Sequence, residues 1–408
     1  MFKNQESSLQ PVAAVTFLNY AARGLTFPFI SLFLVALGFS GTEIGFILSV
    51  SAAVRLIFPP LVHAIADRMD AHRTLFYGLT VGNSIATAGL VAVTSNIGLG
   101  ATVVIRDSLD MPSASLLSQL TITKLNQVGR NIYGRIRAWG SFGWAVTTLV
   151  SGVIFNAGGY ALLFIVAAVV NLLSLPFART LPEHTSEAMQ HDEQVKAAPT
   201  RRKPGFYVLM ISNMLFYIGF TAFGGFSNIY FQEELGASTA LIGILASVAA
   251  LAEIPSMLFI DSLLKRLNIR TTLNIGMLGM AGLWFAFTLL DGTALLIPLM
   301  IIRGTFYTFH NVTMTLLVAR ISHPANVSTN QAIAQVTMPA IAALLTSSVA
   351  GWIFDNIGAR ILFQVSALIG VLAVVTLIAG RRTLARTAAT PPAEPLPDVS
   401  PDVAGEVV

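Results

Sequence analysis

The 408-residue chain contains no cysteine. That absence removes disulfide frameworks, thiolate nucleophiles and cysteine-ligated metal centres together. Charge is nearly as scarce: Asp, Glu, Lys and Arg make up 11% of the residues against 54% hydrophobic, where a soluble globular domain carries about 25% charged residues. Water is therefore not the main solvent of this chain. The six histidines are scattered, so no spacing points to a metal site. Glycine-rich strings such as GFSGTE and TAFGGF lack the strand and lysine of a phosphate loop and read as turns or close helix packing. Neither a cofactor nor a nucleic-acid partner is expected.

Apolar stretches take the place of these features. They recur at 11–37, 43–66, 74–95, 97–122, 137–156, 160–180, 205–231, 239–263, 271–290, 293–319, 330–354 and 359–380, and each can cross a hydrocarbon core of about 30 Å as a helix. The expected fold is all-α, an integral membrane protein of twelve transmembrane helices in contact with a lipid bilayer. The polar opening MFKNQESSLQ precedes an apolar run too long for a signal-peptide core, which reads as a retained first helix.

Nearly all of the 24 Lys and Arg residues fall in the tails and in the loops from even to odd helices, among them Arg68, Arg73, Lys124, Arg135, Arg137, Lys203 and Arg270. Only Arg360 lies in an odd-to-even loop. By the positive-inside rule both termini are expected in the cytoplasm, with the chain multi-pass in the plasma (inner) membrane. The opposite loops are short and turn-like, leaving no external domain for a macromolecular partner. The expected organisation is a six-helix bundle over 1–181, a polar linker over 182–204, a second six-helix bundle over 205–382 and a flexible tail over 383–408.

An internal repeat sharpens this. Residues 38–69 align without a gap on residues 236–267, matching Gly38, Gly45 and Ser49 with Gly236, Gly243 and Ser247. Near the end of each half GVIFNAGGYALLF, from Gly152, matches GWIFDNIGARILF, from Gly351. Two regions agree on one spacing to within a residue. A 6+6 duplication with an even number of helices per half gives parallel repeats about a pseudo-twofold axis, with a substrate site near the midplane between them.

Ionisable side chains inside a span cost about 2.5–3.5 kcal/mol at the centre, so they persist where they face a cavity or a partner. Seven are clear: Arg23, Arg55, Arg106, Asp107, Asp110, Glu253 and Arg303, with His310 an eighth. Asn19 and Arg23, four apart, share a helix face and would present donors to a substrate; the alternative is an ion pair between Arg23 and an acid on another helix. Arg106 and Asp110, also four apart, are expected to pair within their helix, leaving Asp107 to another partner. Either acid could instead carry a proton. Arg303, Tyr307 and His310 fall within about 20° of one line along their helix, a stripe that should line the cavity or pack internally. Arg55 and Glu253 occupy the same repeat position, plus in one half and minus in the other. A lone Glu253 is the leading proton carrier; an interhelical gate contact is its structural alternative. Four arginines against three carboxylates mildly favour a monoanionic substrate.

The segments TFPFISLFLVALGFSGTEIGFIL, LVHAIADR, YGRIRAWGSFGWA, ILASVAALAEIP and GTFYTFHN resemble the phenylpropionate permease branch of the major facilitator superfamily, which is related to lactose permease and nucleoside:proton symporters. The similarity runs over about residues 15–380. It implies proton-coupled uptake, with Arg55, Glu253 and His310 where such relatives carry the same residue types. There are departures: relatives commonly have an Asp close to Ser118, and a His where Arg303 stands.

The function expected is proton-coupled symport of a small organic solute, an aromatic or other organic acid, a sugar or a nucleoside, by alternating access in a monomer. A proton-coupled efflux antiporter is the alternative, although WGSFGWAVTTLVSGVI lacks the Gly-Pro pattern of drug antiporters. A transport-dead sensor would call for an appended domain, and a membrane-embedded enzyme for a convergent nucleophile and base. The sequence offers neither, and no enzyme is expected.

Overall fold

The computed structural model describes residues 9–129, 132–183, 202–323 and 326–389. The bulk of the expected linker, 184–201, and the tail beyond 389 lie outside the described residues. Within them the chain is helical, with no strand. The first span is α1 (Gln10–Thr26) and α2 (Ile30–Ala36), then come α3 (Gly41–Met69), α4 (His72–Ala92) and α5 (Asn96–Gln127). Next are α6 (Tyr133–Leu172) and the short α7 (Leu175–Ala178). The later set is α8 (Pro204–Glu233), α9 (Thr239–Arg266), α10 (Ile269–Phe287) and α11 (Leu296–Ile321). Then come α12 (Val327–Ala332), a π turn over Ile333–Thr337, α13 (Met338–Asn356), α14 (Ala359–Ala379) and α15 (Arg381–Ala389).

Two expected span boundaries differ. The run at 11–37 is interrupted at Phe27–Phe29, where Pro28 lacks an N–H and crowds the preceding turn. Asn228 of α8 donates to the Pro28 carbonyl at 2.9 Å. Conversely, the spans at 137–156 and 160–180 join as α6, and the chain turns between them at Gly158 and at Gly159 (φ +63°), a left-handed conformation that glycine adopts without a Cβ penalty.

Eight segments are long and apolar enough to cross a membrane on length and composition alone, the joined run Tyr133–Ala178 counting once; α5, α10 and α11 are not among them. Two of the three carry ionisable groups within the span, Arg106, Asp107 and Asp110 on α5 and Arg303 and His310 on α11, of which Arg106 and His310 are buried. Ion pairs and ring contacts inside the bundle hold several of them, so the fold carries them across where their own composition does not. Outward-facing side chains such as Ile57, Val153, Leu258 and Phe259 are exposed and apolar, as a bilayer-facing surface requires. In the later six spans Trp284, Phe216, Phe223, Phe287 and Phe363 are fully enclosed in one aromatic core.

The repeat has a structural counterpart. Gly38 (φ +87°) and Gly236 (φ +73°) make the same left-handed turn. Two residues on, Ser40 and Ser238 cap α3 and α9, accepting from the backbone N–H of Glu43 and Leu241. The repeated glycines then form two equivalent helix crossings. On one, α3 meets α13: a Cβ on Gly45 would lie 2.2 Å from the Ser347 carbonyl oxygen, and one on Gly351 2.1 Å from that of Gly41. On the other, α9 meets α6: a Cβ on Gly243 would lie 2.3 Å from the Thr148 carbonyl oxygen, and one on Gly152 2.4 Å from Ala240. The repeated serines also serve these crossings. The Ser348 N–H and hydroxyl lie 3.0 and 2.9 Å from the Ser49 hydroxyl, and Ser247 donates to the Ala145 carbonyl at 2.9 Å. Both crossings sit at the helix ends away from the chain termini. That end of the bundle is sealed, with main chain and short side chains in direct contact.

At the terminus end Glu183 accepts hydrogen bonds from the Thr74 N–H and hydroxyl and pairs with Arg73, closing the sixth span onto α4. Burial pushes the Glu183 carboxyl up, but the Thr74 hydrogen bonds and the Arg73 guanidinium outweigh it and hold it below the usual carboxylate range.

Candidate functional site: charges facing across the bundle

Within the first six spans one ion pair joins two helices and another forms between chain neighbours on α5. Arg23 of α1 donates through Nε to Asp110 Oδ1 at 3.0 Å and through Nη2 to the Asp110 carbonyl at 2.8 Å. Arg106 donates to Asp107 Oδ1 at 2.7 Å and to the Thr26 hydroxyl. The intrahelical Arg106–Asp110 pair expected from spacing is therefore absent. The rotation of α1 brings the Arg23 guanidinium onto Asp110, and Thr26 on the same helix draws Arg106 the other way. Of the two readings of Arg23, the structure shows the interhelical ion pair.

Beneath these pairs lies a network of amides. Asn83 donates to the Arg106 carbonyl at 2.9 Å. Asn171, on the second half of α6, donates towards Asn83 Oδ1 (3.3 Å), the Ser84 hydroxyl (3.1 Å) and the Thr80 carbonyl (3.4 Å) and accepts from Asn19 at 3.5 Å. Asn19 is thus bonded into the scaffold on the face it shares with Arg23. Replacing Asn171 by Leu would leave several buried polar groups short of a partner, at about 1–3 kcal/mol for each one stranded. The expected result is a clearly lower thermal midpoint in detergent, with the Asn171→Asp variant falling at least as far, because a carboxylate cannot donate to Asn83 Oδ1 or the Thr80 carbonyl.

The later six spans present a different surface. Arg303 stands over the Phe220 ring of α8 at 5.7 Å, and Tyr307 stacks on the same ring with centroids 5.4 Å apart and planes 22° from parallel. Tyr307 accepts a hydrogen bond from Asn311. The Arg303 Nε is buried without a hydrogen-bond partner. One turn along, His310 stacks on Phe216 with centroids 3.8 Å apart and bonds Asn213 Oδ1 at 3.3 Å. The two ends of the stripe differ: Arg303 and Tyr307 are half-buried against the Phe220 ring, while His310 is 1% exposed and packed within its own half.

Glu253 of α9 makes no hydrogen bond or ion pair among the described residues. The charges that act on its carboxylate are those of Arg303, from the same set of spans, and Arg137, from the other. Counted from sequence among the loop residues, Arg137 instead lies one turn into α6, before the crossing with α9 in chain order. Its guanidinium rests 4.2 Å above the Tyr20 ring, and Arg23 lies 5.3 Å from the same ring. Arg137 and Tyr20 are the site residues that sequence reasoning missed. The YGRIRAWGS segment held the signal, but the positive-inside count absorbed it. Arg55, at the repeat position of Glu253, donates to its own helix at the Ser51 carbonyl.

Ser118 explains part of this arrangement. It lines a crevice with Tyr20, Tyr133 and Arg137, and its hydroxyl bonds the Ala114 carbonyl. With a serine there, Arg137 has no carboxylate from α5 and is left to Glu253 across the bundle. Ser118→Asp is therefore expected to capture Arg137 within the first six spans and to weaken solute binding about tenfold or more, read as a rise in the half-saturation concentration for uptake.

A family model described as the MFS_1 like family matches residues 10–365. The maltose permease of Geobacillus stearothermophilus is 24% identical over 375 residues, covering 90% of this chain and 94% of that protein. The nucleoside permease NupG of Escherichia coli (strain K12) is 23% identical over 312 residues, covering 71% and 74%. A crystal structure of nucleoside transporter NupG superposes with a TM-score of 0.77 at 20% identity, covering 91% of this chain and 98% of that one. A bacterial homologue of the lysosomal transporter Spinster, in an inward-facing and unoccupied conformation, superposes with a TM-score of 0.73 at 13% identity, covering 95% and 99%. The twelve spans, the sealed crossings of the two repeats and these relatives agree: the chain belongs to the MFS_1 like family of major facilitator transporters and is a permease, not an enzyme.

Proposed function

We propose that this permease is a proton-coupled symporter that takes up a small organic solute, with Glu253 as the proton carrier and Arg137 and Arg303 as the anion-binding pair. The observation that carries the reading is Glu253, without a hydrogen bond or ion pair among the described residues, within electrostatic reach of Arg303 and Arg137, one from each six-span set. Arg23 and Arg106 are already neutralised by Asp110 and Asp107, which leaves Arg55, bonded to its own helix, and the group of Glu253, Arg303 and Arg137. With Glu253 ionised, its carboxylate competes with an anionic solute for both arginines. With Glu253 protonated, the pair is released to a solute carboxylate, so proton and solute favour each other's binding. The stacked Phe220 and Tyr307 offer a planar apolar wall beside them. An aromatic or other organic acid fits this arrangement best.

A sugar or nucleoside is the second reading. The relatives named as maltose and nucleoside permeases support it, as does the small crevice lined by Arg23, Asn83, Arg106, Asp110 and Asn171, whose donors and acceptors suit hydroxyl groups. The loop distribution of lysine and arginine supports an orientation with both termini in the cytoplasm and the sealed end outside.

Uptake into proteoliposomes of labelled aromatic acids, nucleosides and sugars, with and without an inward proton gradient, tests the proposal. Gradient-dependent accumulation of one class, collapsed by a protonophore, is the expected result and names the solute. Gradient-independent equilibration of every class would sink the coupling, and extrusion of amphiphilic dyes would reverse the direction.

A further inference from the structure

The two sealed crossings are equivalent in their glycines but not in their charge. Asp355 of α13 occupies the repeat position held by Asn156 on α6. Across the boundary between the two six-span sets, Asp355 Oδ1 accepts from the Gly41 N–H at 2.7 Å. Its Oδ2 accepts from the Thr42 N–H at 2.7 Å and the Thr42 hydroxyl at 2.6 Å. Gly41 and Thr42 open α3, so their N–H groups have no partner within the helix, and the carboxylate also meets the positive end of its dipole.

The neighbouring charges are occupied elsewhere. Glu43, on the same turn of α3, folds back to accept from the Ser40 N–H and hydroxyl. Arg360, at the start of α14, donates to Asp291 at 2.9 Å and to the Leu290 carbonyl at 3.1 Å, with Glu234 at the end of α8 3.9 Å away. The Asp355 carboxylate is met by α3, and α3 belongs to the opposite half.

We propose that Asp355 is an interhalf latch that sets how much of the protein is sealed at this end, and that the α6–α9 crossing, with Asn156 in its place and only the neutral Tyr160 hydroxyl bonded to Thr239, carries no carboxylate latch. Opening this end requires three hydrogen bonds to a carboxylate to break together at the α3–α13 crossing. The inference concerns the balance between the two access states and stands whichever solute is carried.

The cysteine-free chain allows a direct measurement. Ile97→Cys and Leu295→Cys place exposed labels at the sealed ends of α5 and α11, 88% and 56% accessible. Spin labels there, in the full-length protein in nanodiscs, report the separation of the two halves by pulsed electron resonance. The unaltered latch is expected to give one dominant short distance. Asp355→Asn should raise the ratio of separated to sealed molecules about tenfold or more, with Asp355→Ala at least as large and Asn156→Ala without effect. Unchanged distributions in both Asp355 variants, or an equal shift from Asn156→Ala, would overturn the latch. Should the Asp355 variants not be recovered folded, Thr42→Val decides alone: it removes one donor of three, so a smaller shift in the same direction supports the latch and no shift overturns it.

Discussion

Glu253→Gln is expected to abolish gradient-driven accumulation while leaving exchange of solute across the membrane intact. A gradient of two pH units can sustain about a hundredfold accumulation when one proton accompanies each solute; the variant should equilibrate at onefold. Glutamine resembles a protonated glutamate in shape but cannot release a proton. It would therefore leave Arg137 and Arg303 permanently available, so half-saturation for exchange should not worsen. The measurement is counterflow and gradient-driven uptake in the same proteoliposomes. Loss of both together would assign Glu253 a structural role, and loss of neither would move proton carriage to Asp110 or Asp107, for which Asp110→Asn and Asp107→Asn are the corresponding variants.

The second large effect concerns stability. Asp110→Ala removes the carboxylate that holds the Arg23 guanidinium, whose side chain is 14% exposed, and strands a cation inside the first six spans. Breaking such a pair costs about 3 kcal/mol or more when it is buried, and water reaching the 22% exposed Asp110 side chain reduces this somewhat. A drop of several degrees in the thermal midpoint is expected. Removing both charges, as Arg23→Leu with Asp110→Leu, should recover much of it, because two apolar side chains leave no unpaired charge. If the double variant were as unstable as the single one, the pair would be contributing packing rather than charge compensation. Transport assays on the recovered double variant would then show whether the pair also contacts solute.

How much of this was legible in the sequence depends on the range of the interaction involved. The spans follow from local composition, and the repeat survives as caps and glycines: Ser40 with Ser238, Gly45 with Gly243 and Gly152 with Gly351 each act within a turn or at a single contact. The same residues that aligned in sequence meet at the crossings. The partners of Arg23 and Arg106 were not legible, because they depend on the rotation of α1 against α5, which no spacing within either helix specifies. Arg137 escaped notice for a different reason. A basic residue at the start of a span obeys the loop rule and an interior position equally well, and only the Tyr20 ring of α1 beneath its guanidinium separates the two. The stripe on α11 was read correctly as one face, but whether each member meets water or an aromatic ring was decided by α8, through Phe220 for Arg303 and Tyr307 and Phe216 for His310.

The sealed crossings have a consequence for turnover. Where α3 meets α13, Gly45 and Gly351 touch main chain, and where α9 meets α6, Gly243 touches the Thr148 carbonyl beside the short Ser151 side chain. Glycine has no side-chain rotors to lose, so closing these contacts freezes little motion and reopening them restores little. The entropy of the two access states therefore stays nearly matched at the seam. A crossing built from leucines would have to settle a new set of rotamers in every cycle, whereas this one has only a few short polar side chains to re-seat beside its glycines.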